Sequence, residues 1–418
     1  MLGLECLVLA AILATSSHLS RQLRAPLRIP RPTWAWALLL SAPLWLAVQV
    51  WLPVHLGWLP NKLAPDATWS TALLGLPLVV CLVAGRWVAG GHVLVLAKAW
   101  LWVALVQALW GLLQVAGLDG LRFEALSGEP AIGSFASKNT YSNLLVMAVP
   151  LAVWRLGVVR NEGERRGRGD GGFERLPRAW GWVVALLLLL CTLLLSTSRT
   201  GIASGLLMLL LALPLLLLQR VGTQGKASSG WWWVLAGMTA LICLTLLVAG
   251  WDWAARFEAS RLVADDFTRS LMRQTTWQAA MAHWPWGSGL GTYADVYPAW
   301  QPAELGHRMI DLAHNDYLQL LVELGLASVV LAAAVLWLIV QRLWQMWRSP
   351  APTGGQDRSM YQLQVAAGLG VLAIALHAWV DYPFHIPANA MMGCFLLGVF
   401  LRPHGVGAHT NAQFEVKK

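Results

Sequence analysis

The chain has few charged residues for its length. Of its 418 residues, 12% are Asp, Glu, Lys or Arg, whereas 57% are hydrophobic. A globular core cannot bury that much apolar surface, so the composition argues against a water-soluble protein. The sequence therefore predicts an all-α integral membrane protein that crosses the bilayer many times.

Cysteine is also scarce, and its five positions are scattered. They lie inside apolar runs at unrelated spacings, at Cys6, Cys81, Cys191, Cys243 and Cys394. Because disulfide frameworks and zinc sites need cysteines at characteristic short spacings, the pattern indicates neither. These residues are typical of small side chains packed within apolar helices.

The apolar runs define the membrane topology. Runs of about 17 to 25 residues predict about 11 to 12 spans: 2–18, 33–52, 69–85, 90–116, 140–158, 180–197, 201–219, 231–250, 316–341, 361–380 and 387–402. Most basic residues lie in alternate connections between them, which the positive-inside rule assigns to the cytoplasm. The net charge of +9 therefore reports topology and not nucleic-acid binding.

This topology divides the chain into four parts. We expect about eight N-terminal spans in residues 1–251, a large loop on the periplasmic side at 252–313, about three further spans in 314–402 and a cytoplasmic tail at 403–418. The large loop is the only long polar segment outside the membrane. A site formed by the protein is therefore expected there.

Lysine is absent from the 252–313 loop, although the loop contains five arginines: Arg256, Arg261, Arg269, Arg273 and Arg308. The planar guanidinium group binds phosphate oxygens with two parallel hydrogen bonds, which lysine cannot do. Salt bridges to the acidic residues of the loop, or contacts with lipid headgroups, are the alternative. The same loop contains Gly287-x-Gly289-x-Gly291, which is only a very weak dinucleotide motif because no strand precedes it.

Two further cations lie at the same side of the membrane. Arg199 is in the short Ser196–Gly201 hairpin between two spans, where an unpaired charge costs about 2.5 to 3.5 kcal/mol. That cost favours an anionic ligand or a fixed partner, with a hairpin cap as the alternative. Lys138 precedes Asn139 at the start of another span, where a snorkelling lysine and a helix cap are the simpler interpretations.

The segment His314–Gly325 opens the next span with unusual polarity. If it is helical from its first residue, His314 and Tyr317 share one face, next to the face that carries Asn315. Histidine is the side chain best suited to accept a proton from an alcohol near neutral pH. A capping role is the alternative. A further ionisable cluster, His377–His385, lies at another span end.

Together these segments resemble the bacterial O-antigen ligase superfamily over residues 120–390. The resemblance depends on five motifs in order: Gly-Ser-Phe-x-x-Lys-Asn at 133–139, Ser-Arg-Thr-Gly at 198–201, Arg-x-x-x-Trp with Gly-x-Gly-x-Gly at 273–291, His-Asn-Asp-Tyr-Leu-Gln at 314–319 and Asp-Tyr-Pro at 381–383. The superfamily contains lipopolysaccharide O-antigen ligases, related polymerases and protein O-oligosaccharyltransferases. A GT-C-like glycosyltransferase architecture is implied.

The resemblance also implies a reaction and a set of residues. The implied reaction transfers O-antigen from undecaprenyl pyrophosphate to the lipid A-core, at the periplasmic face of the bacterial inner membrane, without a metal or other cofactor. His314, Arg273 and Arg199 match the essential residues of the family. Lys138 stands where many relatives have a neutral residue. The expected substrate-binding set is Lys138, Asn139, Arg269, Asn315, Tyr317 and Arg308.

The chemistry leaves several alternatives open. The pyrophosphate needs cations and no general acid, while His314 would orient or deprotonate the acceptor, and direct attack would invert the anomeric carbon. Asp311, Asp316 and Asp381 are candidates for a nucleophile or metal ligands, although their spacing matches no known metal site. A polymerase, a protein O-glycosylating enzyme or a transporter remain alternatives. A transporter would need ionisable residues at the midplane, where only Lys98 clearly lies within a span.

Overall fold

A computed structural model describes residues 65–118, 130–166, 176–217, 259–306, 309–349, 352 and 355–403. Within these ranges the chain forms α-helices and short 3-10 turns and has no strand, so the predicted all-α class is confirmed. The helices are α1 (Pro65–Trp87), α2 (Gly90–Val115), α3 (Lys138–Arg166), α4 (Leu176–Leu195), α5 (Arg199–Leu217), α6 (Ala259–Ala282), α7 (Tyr293–Val296), α8 (Asp316–Leu324), α9 (Leu326–Arg348), α10 (Gly355–Ala378) and α11 (Pro387–Phe400).

The long apolar helices agree with the predicted spans. In the described part of the chain, five stretches are long and apolar enough to cross a membrane, and they lie in α2, α3, α5, α9 and α10. Shorter apolar stretches lie in α1, α4 and α11. The chain is therefore a multi-pass membrane protein. The predicted spans at 2–18, 33–52 and 231–250 lie outside the described residues.

Helix α3 is the centre of the bundle. Every residue from Thr140 to Trp154 is buried, because α3 contacts α2, α4, α5, α10 and α11.

Helices α1 and α11 approach each other closely through two glycines. A Cβ atom added at Gly85 or Gly398 would lie 2.3 Å from a backbone oxygen of the opposite helix. Small residues of this kind allow membrane helices to pack backbone to backbone.

The span predicted at 316–341 is interrupted at Gly325, which corrects the sequence prediction. The backbone of Gly325 has φ 57° and ψ −132°, and this conformation ends α8 and starts α9. Only glycine adopts this region without strain. The polar residues therefore lie on a separate helix of nine residues, and the span itself runs from Leu326 to Arg348.

The polar loop is folded and has its own small core. Helix α6 packs on α8, and two buried tyrosines from α7 and the following turn fill the space between them. Tyr293 and Tyr297 stack with ring centroids 5.1 Å apart, and their hydroxyls bond to Thr276 at 2.8 Å and Thr275 at 2.9 Å. This core fixes α6 relative to α8, where the polar motif begins.

Candidate active site

The predicted motifs meet at the short connection between α10 and α11, residues 381–385, which we call the 381–385 turn. His314 bonds to its first residue, Asp381, and Asp316 bonds to its last residue, His385. The backbone N–H of Asp316 also donates to the carbonyl of Asp381 at 3.2 Å. Residues 314–316 are therefore hydrogen-bonded to both ends of the 381–385 turn.

His314 has a strained backbone and a partner that orients its ring. Its φ of 49° is in the left-handed region, which residues other than glycine rarely adopt. Strain of this kind is concentrated at functional sites, where the surrounding structure enforces it. Nδ1 of His314 lies 3.2 Å from Oδ1 of Asp381, and the Tyr382 ring packs edge-on at 4.9 Å.

The pair of His314 and Asp381 has the geometry of a histidine oriented for proton transfer. Burial raises the pKa of Asp381, but the hydrogen bond from His314 and nearby positive charge, including Arg269, outweigh it and hold that pKa below its usual range. Asp381 is therefore an anion that accepts the Nδ1 proton. In the described part of the chain Nε2 of His314 makes no hydrogen bond, and the side chain is 36% exposed.

A buried charge network lies behind this pair. His385 bonds through Nδ1 to Asp316, and its Nε2 lies 3.7 Å from Oε2 of Glu323. Burial disfavours the charged ring, but the two carboxylates outweigh it and raise the pKa of His385 to about 10. The N–H of Phe384 also donates to Asp316 at 2.6 Å. His385 is thus a buried cation that joins the 381–385 turn to α8.

The glycine-rich turn at 285–291 docks on the end of α8. The N–H groups of Ser288 and Gly289 donate to the carbonyls of Val322 and Glu323, each at 2.9 Å. The N–H of Gly291 donates to Oε2 of Glu323 at 3.0 Å. Because these amides are used within the protein, the turn is not an anion-binding nest of free N–H groups.

Two loop arginines lie one helical turn apart on α6. Nη1 of Arg269 donates to the carbonyl of Val380 at 3.2 Å, immediately before the 381–385 turn. Arg273 follows four residues later, so the two side chains share one side of the helix. Both are half-buried. The structure thus places Arg269 beside the histidine pair, while Arg308 lies outside the described residues.

The Ser196–Gly201 hairpin reaches the same region through α3. Oγ of Ser198 donates to Oδ1 of Asn139 at 2.9 Å. Burial raises the pKa of Tyr382, and the Ser137 side chain lies close enough to its hydroxyl to lower that pKa in part. Thr197, next to these residues, has a φ of 54°. Half-buried Arg199 and Lys138 are the first residues of α5 and α3. The two cations therefore belong to segments that are linked to each other and to the 381–385 turn.

Two expected substrate-binding residues are used within the protein. Asn315 is buried and caps α8, where its side chain accepts from the N–H of Leu318 at 3.1 Å. The hydroxyl of Tyr317 donates to the carbonyl of Ala375 at 2.8 Å. Because α8 starts after His314, that residue is not helical, and the expected helical face shared by His314 and Tyr317 is not formed.

Sequence reasoning named Asp316 and Asp381 only as candidate nucleophiles or metal ligands and gave no role to Glu323, Tyr382 and His385, so it missed the partner of each. The sequence did contain evidence that these residues have a role, because ionisable residues are rare in this chain and these lie at span ends or inside an apolar run. Buried charges in such positions need partners. The two histidine–aspartate pairs join residues 67 and 69 positions apart in the sequence, so the pairing could be identified only from the fold.

The described residues contain no group of three or more His, Cys, Asp or Glu arranged to hold a metal ion. The acidic residues left open by the sequence have other roles in this geometry. Asp316 and Asp381 each bond to a histidine, and Asp311 is exposed. The arrangement therefore offers one oriented histidine, one carboxylate behind it and several nearby cations.

Residues 184–333 match a family model described as O-antigen ligase. This stretch includes the Ser196–Gly201 hairpin, α6, the glycine-rich turn and His314. The match supports the O-antigen ligase superfamily, so the resemblance based on the motifs is confirmed, and it indicates a glycosyltransferase-like enzyme. No curated protein matches the chain.

Proposed function

We propose that the chain is an O-antigen ligase that transfers O-antigen polysaccharide from undecaprenyl pyrophosphate to the lipid A-core oligosaccharide. The reaction would take place at the periplasmic face of the bacterial inner membrane. The family match supports an enzyme of this superfamily. The observation that carries the proposal is the hydrogen bond between strained His314 and Asp381 at the meeting point of the family motifs.

The histidine pair is suited to the acceptor side of this reaction. With Nδ1 donating to Asp381, the lone pair of Nε2 is available to an acceptor hydroxyl. As the hydroxyl oxygen bonds to the anomeric carbon, its proton passes to Nε2, and the negative charge of Asp381 stabilises the imidazolium. The bond from the anomeric carbon to the pyrophosphate oxygen breaks on the opposite face, so the configuration inverts.

The cations are suited to the donor side. The departing pyrophosphate carries its charge on oxygens, and guanidinium groups stabilise that charge through paired hydrogen bonds. We assign this role to Arg273 and Arg199, with Arg269 and Lys138 near them. This set makes a metal ion unnecessary for the step. The product on this side is undecaprenyl pyrophosphate, which already is a stable anion and needs no proton from the protein.

Reconstitution tests the proposal directly. The purified chain in vesicles, with undecaprenyl-linked O-antigen, lipid A-core and a chelator, should give capped lipopolysaccharide. His314→Ala should abolish the product. His283→Ala is the matched control, because it changes a half-buried histidine directly after α6, and it should retain the product. Full activity of His314→Ala, or dependence on a divalent metal, would refute the proposed mechanism.

The same superfamily contains polymerases and protein O-glycosylating enzymes, and gene deletion separates them. Loss of a ligase leaves polymer unattached to lipid A-core, loss of a polymerase removes the polymer, and loss of a protein-modifying enzyme removes glycan from protein. A transporter or flippase would move the glycan lipid without forming a new glycosidic bond. The reconstituted reaction therefore also tests this last alternative.

A further inference from the structure

Between residues 267 and 286, helix α6 and the turn that follows it have an exposed face without charge. Every exposed residue between 267 and 286 is uncharged, and the large ones are Phe267, Trp277, Met281, Trp284 and Trp286. Their exposed fractions are 41% to 60%. The remaining exposed positions in this stretch are Thr, Ser, Gln and Ala. A helix that faces water normally has charged residues on its outer side, so this face is unusual for an aqueous loop.

The ends of this stretch lie at the level where membrane spans end. Arg269 donates to the carbonyl of Val380, two residues beyond the apolar stretch that ends at Ala378. Near the other end, the carbonyl of Pro285 accepts from the N–H of Leu326, the first residue of span α9, at 2.7 Å. Both contacts are at span ends, so the part of α6 between them extends from the end of one span to the start of another.

The uncharged face is continuous with the exposed apolar surface of the candidate span α9. Trp284 and Trp286 flank Pro285, so both lie next to the start of α9. In the first turns of α9, Leu326 and Val329 are each 47% exposed on a helix that is mostly unburied. Tryptophan and phenylalanine at such a boundary are typical of helices that lie in the interfacial layer of a bilayer.

We propose that the uncharged face of α6 lies in the interface of the lipid bilayer on the side of the active site. Helical spacing places Arg273 between this face and the buried face with Thr276 and Ala280, and it places Arg269 on the buried face itself, next to Val380. The arginines are thus held at the depth of lipid headgroups. If the proposed function is correct, this is also the depth of the pyrophosphate of a lipid-linked donor, and α6 sets the height of its binding site.

Spin-label accessibility tests this proposal without any enzymatic activity. The five cysteines of the full chain are replaced by serine, and Trp277→Cys or Met281→Cys is labelled with a nitroxide in vesicles of phosphatidylethanolamine and phosphatidylglycerol. Asp295→Cys and Glu304→Cys, at exposed positions of the same loop, are matched controls. We expect the ratio of oxygen to nickel-chelate accessibility to be several-fold higher at 277 and 281 than at the controls.

Equal nickel-chelate accessibility at all four positions would overturn the proposal, because the face would then be in water. Protection of 277 and 281 that occurs only after soluble glycan is added would also overturn it and identify a sugar-binding surface. If the cysteine-free chain does not assemble, Trp277→p-benzoylphenylalanine in the otherwise native chain replaces the label. Photolysis should then attach phospholipid to the variant at 277 and not to a control variant with p-benzoylphenylalanine in place of Asp295. A lack of lipid adduct at 277 would refute the proposal.

Discussion

His314 and Asp381 are joined by a hydrogen bond of 3.2 Å, although 67 residues separate them in the sequence. One residue precedes α8, and the other follows α10, so the bond connects the start of the short helix α8 to the end of the span α10. The hydrogen bond lowers the pKa of Asp381, and its favourable energy helps to offset the backbone strain at His314. The pair therefore gives the most direct tests of the proposed chemistry.

Replacement of Asp381 by asparagine should reduce turnover while leaving donor binding nearly unchanged. Asp381→Asn keeps the size of the side chain but removes the charge that stabilises protonated His314. We expect kcat to fall by about 10² to 10⁴, the usual contribution of acid-base catalysis, with little change in KM for the glycan donor. Asp295→Asn on α7, which is exposed, is the matched control. An unchanged kcat in Asp381→Asn would argue against proton transfer through His314.

Replacement of His385 should destabilise the protein because it leaves two buried carboxylates without their cation. For His385→Gln we expect a loss of about 3 to 5 kcal/mol in the free energy of unfolding, as when one partner of a buried ion pair is removed. Thermal unfolding in detergent measures this loss. His283→Gln, which removes a half-buried ring that bonds to the Ala279 carbonyl and to no other described residue, should cost much less. Equal losses would contradict a role for the network.

Because of His385, the stability of the folded protein should fall as the pH becomes alkaline. The pKa of His385 is raised to about 10, above the value of 6.5 for an unperturbed histidine. A raised pKa means that the stabilisation is complete below pH 6.5 and is lost as the pH rises through 10. The melting temperature should therefore fall between these pH values in the wild type. In His385→Gln this part of the fall should be absent, and an identical slope in both proteins would refute the assignment.

Gly325→Ala should separate the glycine-rich turn from α8. A Cβ atom at Gly325 would lie 2.2 Å from the carbonyl oxygen of Pro285. Gly306 also has a positive φ, of 66°, but open space around it, so Gly306→Ala controls for the backbone strain alone. We expect Gly325→Ala to cost about 1 to 3 kcal/mol more than Gly306→Ala in unfolding free energy, which is the usual cost of overpacking. Similar costs would mean that the 285–291 turn moves away from the added methyl group at little cost in unfolding free energy.

Arg273→Lys should impair catalysis although it retains the positive charge. A lysine cannot form the paired hydrogen bonds of a guanidinium group, so we expect kcat to fall towards the loss of about 10² to 10³ seen when a transition-state donor is removed. Arg348→Lys, at the opposite end of α9, is the control and should be neutral. Wild-type turnover in Arg273→Lys would indicate that only net charge matters at this position.

The sequence predicted the class of fold and much of the neighbourhood of the site. Apolar runs indicated the spans, and the scarcity of charge drew attention to His314, Arg199 and Arg273. The break at Gly325 was not predicted, because the apolar pattern of α8 continues into α9 without interruption, and a positive φ leaves no periodic signal. Glu323 within that run was a clue, since a buried carboxylate requires a partner. Its partner His385 could not be identified without the tertiary structure.

The separation of α8 from α9 has a mechanical consequence. With 23 residues, α9 is about 35 Å long, whereas the hydrocarbon core of a bilayer is about 30 Å thick, so the helix fits by tilting. In a continuous helix, a tilt of about 30° would swing the far end of a nine-residue extension sideways by about 7 Å. The break at Gly325 removes that continuous extension, so a tilt of α9 does not by itself displace α8. The oriented histidine can therefore keep its place in bilayers of different thickness.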